Sequence, residues 1–417
     1  KTHYEVYTGT ADLYSYFIEK GISLLGKGGF FSYIVANKWL RTRYGKPLRN
    51  WLKTQCIEEI TDFGDLPVFE GATTYPCILR VSNNKPHMKP WGTNIKDLNF
   101  KSLINYVKEH SFYLNQTQFK DIGWSLSKPE IHKILEKLTQ NSITLLKYTN
   151  GRIHFGVKTG LNKAFVIDGK KRNQIITEDP RSKEVIKPFV IGREIKRYQP
   201  INFHQYLIFI PKGWTNTKTN NKSWDWITSQ YPAVAKHLVS FKEKAQKRYD
   251  KGDYWWELRA CSYYDAFDSI KIIYPNICKQ PEFTIDEFGY FTNQKCYIIP
   301  KNDKYLLGIL NSKIMFLYFK KTLPKLRGDF FEPGYAFIKN FPIHEIDNNN
   351  RDDVLKHENI VSFVEQMLEL HKRTPQTPFE QEQLKREIAA TDAQIDRLVY
   401  DLYSLTEEEI KIVEGEN

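Results

Sequence analysis

Three stretches of this sequence combine residue types that can do chemistry. Asn37-Lys38-Trp39 follows a largely apolar run, Phe30–Ala36. If that run is a strand of an open α/β sheet, Asn37 and Lys38 stand at its carboxyl end, the edge where such sheets bind ligands. Two polar side chains there are out of place in a core. The loop Phe63-Gly64-Asp65-Leu66-Pro67-Val68-Phe69-Glu70-Gly71-Ala72-Thr73-Thr74-Tyr75 offers one large aromatic, Phe69. A nucleobase taken out of a helix needs such a surface to stack on, although a lone loop Phe is more often a packing plug. Phe155-Gly156-Val157-Lys158-Thr159-Gly160-Leu161-Asn162-Lys163 mixes glycines with polar side chains. Glycine lets backbone approach a phosphate, and Lys158, Thr159, Asn162 and Lys163 can contact phosphates or base edges.

Further basic clusters follow in the same region. Arg193, Lys196 and Arg197 precede Tyr198; Lys244, Lys247, Arg248 and Lys251 form another group, and Lys320, Lys321, Lys325 and Arg327 the last. Any one of them can be a solvated face, but together they favour a groove for DNA. The charge distribution agrees. The chain carries a net +12, yet from residue 346 onward it holds 8 Lys/Arg against 17 Asp/Glu, leaving 53 against 32 before that point. A basic body with an acidic tail suits a polyanion, because each cation at a phosphate releases condensed counterions.

Other patterns exclude chemistry. Gly26-Lys27-Gly28-Gly29 follows a helix and precedes a strand, the wrong order for a dinucleotide loop, so it reads as a helix stop. Asp179 with Glu194-Ile195-Lys196 has the rough spacing of a Mg²⁺-dependent nuclease core, but Pro180 follows the acid instead of preceding it, and so short a pattern arises by chance. No metal site is therefore expected. Cys56, Cys77, Cys261, Cys278 and Cys296 form no CxxC pair, which speaks for a reducing cytosol and against disulfides or structural zinc. No apolar run reaches about 18 residues, the least that spans a membrane.

The elements that must position these residues can be read from periodicity. Residues 11–25 form an amphipathic helix, with Thr10 as N-cap, Asp12 in the first turn, and Leu13, Phe17, Gly21 and Leu25 at four-residue spacing. Phe30–Ala36 reads as a buried central parallel strand. A helix at about 46–55 and strands at 57–63 and 75–81 complete the closing half of a doubly wound sheet. It is not a whole one, since no strand–glycine loop–helix opens it. Residues 82–123 look like an irregular connector, followed by a helix at about 128–139. Short β-like runs at 165–167, 206–210, 271–274 and 296–299, with helices at 231–248 and 303–320, indicate a separate α+β domain. The tail is helical, with Ile395, Leu398, Val399 and Leu402 on one face and a Thr406/Glu409 capping box. The expected divisions are 1–85, 86–143, 144–345 and 346–417.

In their order these segments resemble the gamma-class adenine-N6 DNA methyltransferases of type II restriction–modification systems, including fused type IIG enzymes with a TaqI-like C-terminal specificity domain. The resemblance is carried by Thr10–Leu40, Asp62–Val81, Thr159–Asp168, Ile186–Arg193, Leu307–Lys313 and Ile395–Glu409, and covers nearly the whole chain. It implies a partial doubly wound α/β methyltransferase sheet, an α+β target-recognition domain and a helical C-terminal tail. Phe17 would pack on the adenine of S-adenosylmethionine, and Phe69 would stack on the flipped target adenine. Lys158, Thr159, Asn162, Lys163, Arg193, Lys196, Arg197, Arg248, Lys325 and Arg327 would face double-stranded DNA. The family's Asn-Pro-Pro-Tyr-type motif and glycine-rich cofactor loop do not occur in this sequence. With a start at Lys1, the chain is therefore expected to be the C-terminal portion of a longer enzyme, without catalytic residues of its own and unable to methylate unaided. A monomer in a prokaryotic cytoplasm is expected, with Mg²⁺ needed only if a nuclease domain lies upstream. A stand-alone DNA-binding specificity module is the alternative, and an RNA methyltransferase a more distant one. Recovery of cofactor binding on adding the N-terminal half separates the first two.

Overall fold

The structure, a computed structural model, describes residues 3–71, 74–86, 89–115, 119, 123–219 and 223–416. Lys1, and Ala72 and Thr73 of the Phe69 loop, lie outside them. The first part is a mixed sheet flanked by helices. Helix α1 (Leu13–Ser23), strand β1 (Phe30–Ala36), helix α2 (Lys46–Leu52), strands β2 (Cys56–Asp62) and β3 (Pro76–Ser82), β4 (Trp91–Asn94), helix α3 (Leu103–His110) and β5 (Phe112–Tyr113) follow in order. The strand order is β1-β3-β2-β4-β5.

Two expectations change here. β1 is not a fully buried parallel strand: within this chain it stands first in the strand order and pairs antiparallel with β3. Its burial alternates, with Phe30, Ser32 and Ile34 exposed, the pattern of a strand covered on one face. The apolar run was misleading because Phe31, Tyr33 and Val35 alone face α1 and the core. The connector is also less irregular than its composition suggests: β4 pairs parallel with β2, β5 pairs with β4, and Trp124 is buried beside Trp39. At the start of α1 the N-cap is Asp12, not Thr10, and it makes no side-chain cap hydrogen bond. Gly21 is where α1 meets β1. A Cβ there would sit 2.3 Å from Phe31 Cε2, so any larger residue would require the Phe31 ring to move.

Beyond residue 140 the chain builds two further cores. One gathers Phe165, Phe189, Val190, Leu207, Ile208 and Phe291. Its four-stranded sheet runs Phe291–Thr292, Ile186–Val190, Gln205–Ile208, Val166–Asp168. A second four-stranded sheet runs Thr284–Asp286, Lys271–Pro275, Cys296–Ile299, His154–Phe155. The expected helix at 231–248 is two, Pro232–Val239 and Lys242–Lys247. That at 303–320 is likewise Lys304–Asn311 and Lys313–Thr322, because Ser312 stops the first and caps the second, accepting from Met315 N–H.

The tail helices Arg351–Leu370, Pro378–Leu402 and Glu407–Glu416 share the third core with this body. Ile360, Val364, Ile395 and Val399 pack with Leu306, Leu307 and Leu310, each buried aliphatic chain contributing about 1.5–3 kcal/mol. Thr406 and Glu409 form the reciprocal cap, with Thr406 N–H donating to Glu409 Oε2 at 2.8 Å and Glu409 N–H to Thr406 Oγ1 at 3.3 Å. The approach is close at Gly308, where a Cβ would lie 2.9 Å from Ile360 Cγ2 and 3.0 Å from Val364 Cγ2. Gly308→Val is expected to overpack this joint and destabilise the chain by about 1–3 kcal/mol in urea unfolding. Unchanged stability would show that the tail helices yield freely.

Candidate nucleic-acid interface

β1 and β2 both run antiparallel to β3, so their carboxyl ends share one edge of the sheet, the ligand-binding edge of open α/β sheets. Three segments meet there. Asn37 N–H donates to Tyr75 O at 2.6 Å. Asn37 Nδ2 donates to Asp62 Oδ1 at 2.7 Å and to Gly64 O at 3.3 Å, and Asp62 Oδ1 also accepts from Gly64 N–H at 3.0 Å. The polar pair after β1 is therefore half structural: Asn37 orders the start of the Phe69 loop, while Lys38 is exposed.

This edge forms one wall of a cleft of about 700 Å³. Lys38, Arg41, Asp62 and Asp65 line it from the sheet side, and Lys279, Lys320 and Lys325 from the body beyond. Arg41 joins the walls: its Nη1 donates to Leu323 O at 2.9 Å and to Lys320 O at 3.5 Å, at the carboxyl end of the Lys313–Thr322 helix, where cations are favoured. Burial lowers the Arg41 guanidinium pKa, with the nearby Asp62 opposing. Sequence reasoning missed Arg41, Asp62, Asp65 and Lys279. Nothing local marks them, since they become neighbours only when the two parts of the chain close on each other.

Phe69 is 42% exposed, and Phe17, on the outer side of α1 with Leu13, is 59% exposed. Neither lines the cleft. Of the basic clusters, some face water and others do not. Lys163, Arg193 and Arg327 are exposed. Lys158 Nζ is 2.7 Å from Asp250 Oδ2, and Lys196 Nζ 2.9 Å from Glu282 Oε1, each side chain still more than 40% exposed. Thr159 is buried; its hydroxyl donates to Asn162 Oδ1 at 2.6 Å and accepts Leu161 N–H at 3.2 Å, which shapes the loop and leaves exposed Asn162 beside it.

Two expected DNA contacts are corrected. Arg248 is buried, donating to Thr159 O at 2.5 Å, to Trp255 O at 2.9 Å and to Glu257 O, with its guanidinium 4.2 Å above the Phe165 ring. Burial depresses its pKa to about 10 despite Asp250. It knits two loops together from inside. Arg197 forks onto Asp392, with Nη1–Oδ2 at 2.9 Å and Nη2–Oδ1 at 2.5 Å, and caps Asn311 O. Its five donors make it an anchor for the Pro378–Leu402 helix.

The nuclease-like pattern is structural as well. Asp179 is buried and accepts from Ser182 Oγ, and Glu194 accepts Ile191 N–H. No group of three or more His, Cys, Asp or Glu among the described residues is arranged to hold a metal. Nor is any described helix long and apolar enough to cross a membrane.

Comparison with known proteins matches both parts. The TaqI-like C-terminal specificity domain family covers residues 187–343, and the Eco57I restriction-modification methylase family covers residues 1–69. The type II restriction enzyme and methyltransferase RM.Eco57I of Escherichia coli is 24% identical over 94% of this chain and 42% of its own length. The type II methyltransferase M.BanIII of Aneurinibacillus aneurinilyticus is 21% identical over 83% of the chain and 66% of its own length. Both parts of the chain are thus similar to type II restriction–modification methyltransferases. It spans 42% to 66% of these relatives. The fold is also that of the type IIL restriction-modification enzyme MmeI, solved in complex with DNA, with a TM-score of 0.61 at 12% identity over 96% of this chain and 50% of that one. The cleft thus opens between a methylase-like segment and a specificity domain, with β1 to β2 on one side and Lys279, Lys320 and Lys325 of the matched domain on the other.

Proposed function

We propose that this chain supplies sequence-specific DNA recognition, together with the closing strands of a partial doubly wound catalytic sheet, to an enzyme that methylates adenine N6 of double-stranded DNA with S-adenosylmethionine. The observation that carries the reading is the cleft at the carboxyl edge of β1 and β2, lined by Lys38 on the sheet side and by Lys279, Lys320 and Lys325 of the specificity domain. Such lysines neutralise phosphates on both sides of a duplex and fix its register. The exposed Lys158, Asn162, Lys163, Arg193, Lys196 and Arg327 extend the contact surface toward base edges and backbone.

Phe69, on the loop that leaves the β2 end, would stack on the adenine turned out of the helix. The residues present fit one wall of a cofactor site: Phe17 is an exposed ring on a surface helix, free to cover a purine. S-adenosylmethionine, when bound, supplies the methyl group. The Asn-Pro-Pro-Tyr-type motif that holds the target amine in this family is not in this sequence, so on this reading the chain binds DNA by itself but does not transfer methyl.

Binding of the chain to a mixed-sequence duplex over a salt series tests this. We expect affinity to fall steeply with salt, with a log–log slope of about −0.9 per phosphate contacted. Lys158→Glu with Arg193→Glu should weaken binding by roughly 10-fold at low salt, as two surface phosphate contacts become repulsive. Weak, salt-insensitive binding of the unaltered chain would defeat the reading.

A further inference from the structure

The loop that carries Phe69 is tied to the specificity domain through Lys325. This residue opens a tight hairpin, Lys325–Leu326 paired with Phe330–Phe331. The tip, Arg327-Gly328-Asp329, turns through left-handed backbone at Gly328 (φ 78°) and Asp329 (φ 62°). The base of the hairpin is firm. Phe331 N–H donates to Cys278 O at 2.7 Å, and the Lys279 ammonium lies 5.1 Å over the Phe330 ring. The tip side chains are wetter. Lys325 Nζ is 2.9 Å from Asp65 Oδ1 and 2.9 Å from Asp329 Oδ1, with side chains 35%, 20% and 76% exposed in that order. A single cation inside the cleft therefore joins the hairpin tip to the segment between β2 and Phe69.

An ammonium donates to a phosphate oxygen as readily as to a carboxylate oxygen. Around Lys325 the cleft is lined by Lys38, Lys279 and Lys320, so a phosphate entering it would be drawn to a cation whose present partners are the only carboxylates within ion-pair distance among the described residues. We propose that Asp65 occupies the place of a DNA phosphate on Lys325, and that Lys325 is a positioning residue. On DNA binding it exchanges Asp65 for phosphate and releases the Phe69 loop from the hairpin. This rests on the cleft being the DNA site. Burial opposes charge on Lys325, but hydrogen bonds to Asp65 and Asp329 raise its pKa, keeping the ammonium charged for the exchange.

The test is a double-mutant cycle on duplex binding by the whole chain in about 0.1 M salt, where exposed charges more than about 10 Å apart are largely screened. Asp65→Asn removes the competitor and should tighten binding by about 5-fold, the upper range for one exposed ion pair. In the Lys325→Gln background the same change should have almost no effect, while Lys325→Arg should restore the coupling. Hydrogen exchange at residues 64–69 should quicken in both single variants without DNA. Equal gains from Asp65→Asn in both backgrounds, no gain at all, or unchanged exchange would overturn the exchange mechanism while leaving the DNA-binding reading intact. Salt-insensitive binding by the unaltered chain would remove both. Thermal melting of each variant shows that it is folded, and Asp329→Asn provides a second, more exposed arm with the same expected sign.

Discussion

Charge reversal at Lys38 and Lys279 together should weaken duplex binding by about 100-fold at low salt and cut the salt slope by about 1.8. The two residues reach the cleft from opposite walls, Lys38 from the end of β1 and Lys279 from the specificity domain. Both are exposed, so neither reversal removes a buried partner. Each replaces an attraction to phosphate by a repulsion, and a unit charge a few ångströms from another is worth about 1–4 kcal/mol between bulk water and a protein surface. If the duplex lies in this cleft, both losses occur in one complex. If it lies only over the Lys158 and Arg193 loops, the cleft reversals would cost little, and those loop variants would carry the whole effect. Filter binding or fluorescence anisotropy over a salt series reads both quantities at once.

The largest stability effect is expected from Lys271. Lys271→Met should destabilise the chain by about 3–5 kcal/mol, the cost of leaving one member of a buried ion pair alone. Lys271 and Asp286 are both fully buried, with Nζ 2.5 Å from Oδ2. Lys271 also donates to Phe267 O at 2.5 Å, and Asp286 accepts Phe288 N–H and Tyr290 N–H at 2.8 Å each. Burial pulls the Lys271 pKa down while Asp286 opposes it. The pair staples adjacent strands, Lys271–Pro275 and Thr284–Asp286, at the register where Lys271 faces Asp286. Asp286→Asn added to Lys271→Met should recover part of the loss, because a neutral amide no longer needs a counter-ion. Urea unfolding of both variants tests this. Equal stability of Lys271→Met and the unaltered chain would mean that water reaches the site and replaces the ammonium.

Much of the architecture could be read from local pattern. β3 follows from a short, largely apolar run and β2 from the β-branched Ile57, Ile60 and Thr61 among polar residues, and the four strands expected in the recognition region all form, within a residue or two at their ends. The Thr406/Glu409 box works because it needs only residues three apart on one helix start. The helix-stop reading of Gly26–Gly29 rests on the same kind of information. What failed was the pairing direction and burial of β1, because an apolar run does not reveal which way its neighbour runs or which face is covered: β1 pairs antiparallel with β3, and Phe30 and Ile34 are exposed despite their type.

The site divides the same way. The sequence by itself determined that this protein is basic in its body, that its lysines and arginines cluster near glycines and aromatics, and that Phe17 and Phe69 sit on separate segments of an α/β unit. Charge and periodicity are properties of the chain, and they survive without coordinates. Tertiary structure alone decided which cations remain available. Arg248 and Arg197 carry the same charge as Arg193, yet one is spent on buried carbonyls and the other on Asp392, while Arg193 faces water. It also decided that Lys325 meets Asp65, a residue from the far side of the cleft. Ion pairs and hydrogen bonds act over a few ångströms, and the folded path of the backbone sets which groups come that close.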